Sequence, residues 1–419
     1  MSFTATAHAV AGPRIAVESL RLGLLWLMGF AGAFVFIEPS PYEIVCIIAI
    51  FLFMLTGLTL RPALVPLALL LIFMNIGYAV AVLQVDDQTK PVLWVFISLF
   101  LAATAIFYAA MLGTNTEQRL DVLLRGYVAG ALIAAIVAIA GYFHLFGSVS
   151  EMFLRFSSAR GTFNDPNVLG AFLVLPGVLI LHRILAGRRV IRSSLMLLVM
   201  MAALLLTFSR GAWGQFAFAA LLMMLLTFVT SRSGSERIRI ILVTIAGMLV
   251  VAVFIAALLS IEQVADMFKE RAAFEQSYDV GYFGRFGRYL LGVDLALQRP
   301  LGIGPLQFTN YFPEDPHNSY LNAFMSGGWL TGVAYPTLIL VTMVMGLRFI
   351  FVPTPWQSTY HAVYATFLGI AFESAIIDSD HWRHYYMIIG LMWGLMAASR
   401  SFGRRGLQAY GAAQAYAHG

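Results

Sequence analysis

Apolar residues fall in long runs along the chain, and polar residues are confined to the intervals between them. Twelve runs approach the roughly 20 residues that a membrane-crossing helix needs. They lie near 20–37, 44–60, 63–83, 91–112, 127–147, 167–185, 194–209, 211–230, 240–260, 318–347, 359–377 and 385–399. The seventh and eighth form one apolar stretch, interrupted at Ser209-Arg210-Gly211. One helix through that point would carry an arginine into hydrocarbon, at a cost of about 2.5 kcal/mol or more. A tight turn at the membrane face is therefore expected. The longest polar interval, 261–316, separates the ninth run from the tenth. Residues 261–276 have amphipathic helical spacing, and Arg285 to Gln298 reads as a second helix that stops before Pro300. Between them lie Ser277-Tyr278-Asp279 and a glycine-rich stretch. Gly302-Ile303-Gly304-Pro305 reads as a structural turn, since it lacks the lysine and the preceding strand of a phosphate loop.

Composition supports this pattern. The chain is 60% hydrophobic and 11% charged, against roughly half and a quarter for soluble domains. The bilayer must act as solvent, which makes the chain an all-α, polytopic membrane protein. Residues 1–400 read as one transmembrane domain with the 261–316 loop inserted. Residues 401–419 are small and polar and read as a disordered tail. The first run has no small-residue cleavage site closing a short core, so it reads as a retained helix. Cys46 is the only cysteine and lies in an apolar run, which excludes a disulfide framework.

Charge sets the orientation. With the N-terminus inside, sixteen of the 26 Lys and Arg residues fall in cytoplasmic segments, but only four of the 21 acids. This bias predicts twelve spans with both termini cytoplasmic. The net charge of +5 does not indicate nucleic acid, because the basic residues are dealt out between apolar runs instead of sharing a face. The cytoplasmic connections are short and basic. The chemistry-bearing residues therefore lie on the outer face, in 148–167, 209–213, 261–316 and 378–384.

Arg285 and Arg288 share the N-terminal face of one helix, an arrangement suited to a diphosphate. Interfacial arginines holding lipid headgroups have the same pattern. Arg210 needs an anionic ligand or a carboxylate partner, for which Glu373, Asp378 and Asp380 are candidates. His317, beside Asn318 at a membrane face, suits proton transfer, although a lone histidine is more commonly packed against a loop. The loose spacing Asp378-x-Asp380-His381-x-x-His384 is a poor metal pattern and reads as a network fixing the last hairpin.

Four segments resemble the bacterial O-antigen ligase and O-antigen polymerase superfamily. They are GTFNDPNVLG (161–170), TFSRGAW (207–213), RFGRYLLGVDLALQRPLGIGPLQF (285–308) and HNSYLNAFMSGGWLTG (317–332). Tyr289 stands where that family usually has Trp. Ser326 replaces a common Glu, and Thr331 occupies the usual glycine site before Gly332. The resemblance implies a metal-independent glycosyltransferase without cofactor, with the membrane-embedded GT-C fold of lipid-phosphosugar transferases, in the bacterial inner membrane. The donor would be a glycan on undecaprenyl diphosphate, and the acceptor a lipid A-core, glycan or protein at the periplasmic face. Arg210 and Arg285 would hold the diphosphate, with Arg288 the second choice to Arg285, and His317 would activate the acceptor hydroxyl. Arg288, Asn318, Tyr289, Arg160 and Asn167 would complete the substrate-binding set. Ligase and polymerase remain open, and a lipid-linked glycan or anionic-solute transporter is the less favoured alternative.

Overall fold

A computed structural model of the chain describes residues 12–231, 233–272 and 281–418. Ser277-Tyr278-Asp279 and the N-terminal residues 1–11 lie outside them. Fourteen helices carry most of the described residues. They are α1 (Gly12–Ala31), α2 (Pro41–Thr56), α3 (Val65–Val82), α4 (Thr89–Met111), α5 (Thr116–Tyr142), α6 (Pro166–Leu185), α7 (Val190–Leu206) and α8 (Arg210–Thr230), followed by α9 (Gly234–Leu259), α10 (Glu262–Ala272), α11 (Arg285–Gln298), α12 (Ser319–Leu347), α13 (Gln357–Glu373) and α14 (Arg383–His418). A two-residue-per-strand hairpin, β1 (Leu154–Arg155) and β2 (Ser158–Ala159), is the only sheet among the described residues. The chain is thus an all-α polytopic protein.

All twelve apolar runs fall on helices, and α10 and α11 are the helices expected in the long loop. Seven helices among the described residues are long and apolar enough to cross a membrane. α2 and α7 have only 16 and 17 residues, about 25 Å at 1.5 Å per residue, short of a hydrocarbon core of roughly 30 Å. The outward side chains of α9 include Leu249, Val250 and Val253, all exposed. Such a surface is stable against lipid and not against water. α14 is helical as far as His418.

The inner helices approach closely where side chains are small. α1 and α5 meet at Gly29 and Gly126, and α3 meets α12 at Gly77 and Gly327. Thr331 Oγ1 donates to the Met74 carbonyl at 2.7 Å. The Thr331 that departs from the family pattern thus ties α12 to α3.

The tenth apolar run is not one straight helix. α12 breaks at Gly328, with φ 62° and ψ −165°, a conformation essentially restricted to glycine. The Arg299–Pro305 turn docks into the break. Ile303 N donates to the Met325 carbonyl at 2.8 Å, and Trp329 N donates to the Pro300 carbonyl at 2.9 Å. The loop thereby satisfies backbone groups that the break leaves without helical partners. A Cβ on Gly302 would stand 2.6 Å from Gly328 N, so only glycine admits this approach. Ala296, Ile303, Phe308, Leu321 and Met325 form a second small core beneath the turn.

Candidate active site

The turn between α7 and α8 presents Arg210. Phe208 adopts a left-handed φ of 49° and ends α7. Ser209 then caps α8, its side chain accepting from Ala212 N. Arg210 is the first residue of α8, as a turn at that position requires. Trp213 Nε1 donates back to the Leu204 carbonyl at 2.9 Å and closes the turn. Gly211 has a steric reason: a Cβ there would lie 2.5 Å from Glu373 Oε1. The Glu373 carboxyl is buried and has no hydrogen-bond partner among the described residues. Of the three carboxylates weighed for Arg210, Glu373 is the one placed beside its neighbour.

His317 is held from three directions. Its backbone takes a left-handed φ of 49°, unusual for histidine. The Tyr289 hydroxyl is shared between the His317 carbonyl at 3.0 Å and the Ala375 carbonyl at 3.1 Å. Burial raises the Tyr289 phenol above its usual value, so it stays protonated as a donor. Asp378 then receives the Asn318 N–H on Oδ1 at 3.1 Å, and its Oδ2 lies 3.5 Å from His317 Nδ1. A carboxylate facing Nδ1 favours the tautomer with Nε2 as the proton acceptor, as in acid–base dyads. Asn318 caps α12, its side chain accepting from Leu321 N at 3.0 Å. Ser319 N donates to the Ser374 carbonyl, next to Glu373, at 2.8 Å. The starts of α8 and α12 and the end of α13 therefore converge.

α11 places Arg285 in its first turn, four residues before Tyr289 and on the same face. Arg288 differs. It is 1% exposed and ion-paired with Glu314 at 2.6 Å, so it holds the loop together instead of facing solvent. The two arginines thus differ in exposure, Arg288 buried and Arg285 half-buried.

His317 opens onto a cavity of about 500 Å³. Asn167, Thr207, Phe208, Asp165, Glu314 and the tip of the β1–β2 hairpin line it. Asn167 therefore faces the cavity. Arg160 serves the backbone, donating to the carbonyls of Met152 at 3.1 Å and Asn164 at 3.4 Å. His381 and His384 face apart. His381 Nδ1 lies 3.2 Å from Asp380, with its ring 3.7 Å from that of Trp94, while His384 is buried on Trp382. The sequence reading missed Asp378 as the partner of His317 and Glu314 as that of Arg288. Sixty residues separate Asp378 from Asn318, and no local spacing signals that pairing.

Residues 195–335 match the O-antigen ligase family. This stretch is similar to the O-antigen ligase domain. It covers about a third of the chain and contains Arg210, Arg285, Arg288, Tyr289, His317 and Asn318. Asp378, Asn167 and the hairpin lie beyond it. No curated protein matches the chain. An O-antigen ligase domain supports glycan transfer of the ligase or polymerase type, with a lipid-linked glycan and an acceptor as substrates in general. Together with the apolar helices, the likeness supports an integral inner-membrane protein.

Proposed function

We propose that the chain transfers a glycan from undecaprenyl diphosphate to an acceptor hydroxyl at the periplasmic face. The acceptor oxygen attacks the anomeric carbon, and His317 Nε2 takes its proton. The bond from that carbon to the diphosphate oxygen breaks, and the electron pair leaves with the lipid diphosphate. Arg210 and Arg285 hold this leaving group. Its charge grows as the bond breaks, so fixed guanidiniums favour the transition state over the ground state. The reading is of a metal-independent transferase, because two arginines supply the positive charge the leaving group needs. Asn318 and Tyr289 set the position of His317, and Asn167 contacts substrate in the cavity. Arg288 and Arg160 act from behind, through Glu314 and the 152–164 loop. Twelve spans, cytoplasmic termini and a GT-C-like arrangement belong to the same reading.

The observation that carries it is the His317–Asp378 pair, held by Tyr289 from the long loop and open to a cavity beside the Arg210 turn. The test uses the protein reconstituted in vesicles with lipid extracted from a strain deleted for the gene. His317→Ala is expected to lower transfer by roughly 10²- to 10⁴-fold, the usual contribution of a general base. Arg210→Ala or Arg285→Ala is expected to lower it about 10²-fold or more. Undiminished transfer at normal protein level removes the altered residue from the mechanism. The extract also separates the two activities: full-length glycans left on the carrier indicate a ligase, and single repeat units a polymerase.

A further inference from the structure

The β1–β2 hairpin is built at a conformational cost. Leu154 pairs with Ala159 and Arg155 with Ser158, leaving Phe156 and Ser157 as a two-residue loop. Both have positive φ, 48° and 59°. Turns of this kind normally take Asn-Gly, because L side chains resist that region. Non-glycine residues held there cluster at functional sites, where the surroundings keep them in place. Here the strain holds a bare aromatic ring outward, with Phe156 79% exposed. Interfacial anchoring is a poor account of it, since membrane-belt aromatics are mostly Trp and Tyr with a polar tip.

The ring is backed by charge. The Arg155 guanidinium lies 5.4 Å from the ring centroid, and Asp165 fixes that guanidinium at 2.9 Å. Phe156 forms a ridge between two hollows. On one side is the 500 Å³ cavity that contains His317. On the other is a smaller one of about 180 Å³ with Tyr142, His144 and Glu151. The first cavity carries Arg155 against Asp165, Glu314 and Asp315. Asp165 is paired with Arg155 and Glu314 with Arg288, which leaves Asp315 as a net acidic group among the described lining residues of this side of the cavity. An exposed ring beside carboxylate, amide and hydroxyl groups suits a sugar, whose C–H face lies on the ring while its hydroxyls reach the polar groups.

We propose that Phe156, steadied by Arg155, is the platform for an uncharged pyranose unit of the acceptor, across the cavity from His317. This rests on the glycan-transfer reading. The test measures transfer in the same vesicles at varied acceptor glycolipid. Phe156→Ala is expected to raise the acceptor KM about tenfold, with kcat at saturation and the donor KM unchanged. Phe156→Tyr is expected to restore the acceptor KM, which loss of folding would not allow. The ratio of variant to wild-type KM should be the same at low and high salt, since an uncharged sugar unit forms no ion pair at the ring. An unchanged acceptor KM, or a shift in the donor KM instead, overturns the platform. A salt-dependent ratio overturns the uncharged class. Absence of transfer by the unaltered protein removes the glycan-transfer reading and this inference with it.

Discussion

Asp378 orients His317 in a setting that works against its own charge. Burial pushes its carboxyl above the usual value, and the neighbouring His317 imidazole draws it only part of the way back. A carboxyl raised on folding stabilises the fold below its ordinary value of about 3.9 and loses that contribution as pH climbs through the raised value. At neutral pH the ionised group therefore costs stability while it positions the imidazole. Asp378→Asn separates the two effects. The Tm at pH 7 should be unchanged or higher, and the difference from wild type should close as pH falls toward 3.9. Transfer should drop on the order of 10²-fold, within the usual range of general-base effects. A Tm lowered at pH 7, with activity falling only in proportion to folded protein, would make Asp378 a plain structural residue. His317 was legible in the sequence because it opens an apolar run after Pro316. Its partner was not, because a side-chain pair closed across sixty residues leaves no period to read.

Elements were legible where the chain announces their ends. α11 begins after Gly284 and stops at Arg299 before Pro300, where the sequence placed it. The break in α12 was hidden because Gly328 sits in an apolar run beside other glycines that serve as packing residues. Steric detail distinguishes them. A Cβ on Gly328 would lie 2.5 Å from the Pro300 carbonyl oxygen, and its φ and ψ are close to glycine-only. Gly328→Ala should cost roughly 1–3 kcal/mol and expose the 299–310 turn to protease. Gly23→Ala, on α1 with nothing within 4 Å, should leave Tm level or slightly raised, since alanine is the better helix residue. Equal behaviour of the two variants would mean that the break does not anchor the turn.

At the scale of the molecule, the two ends of the bundle differ in charge. The cavity described above lies where α8 and α12 begin. The far end of α8 and the start of α13 border a larger one, of about 1460 Å³, whose lining includes Arg61, Arg125, Arg183, Arg188 and Arg239. The proposed orientation puts this basic end in the cytoplasm. Cys46 is fully buried, so background labelling is low. Asp87→Cys should react with a membrane-impermeant maleimide on intact inner-membrane surfaces facing outward, and Glu117→Cys only after permeabilisation. The reverse pattern would put the candidate site in the cytoplasm and end the periplasmic reading. Orientation was open to sequence reasoning because charge bias adds up along the chain, whereas cavities depend on which helices touch. The stitching of the Arg299–Pro305 turn into α12 also bears on how the protein can be recombined. The long loop is not a portable cassette. A chimera that exchanges 261–316 alone would carry the turn without the helix that receives it, so the exchange unit has to run through Gly328.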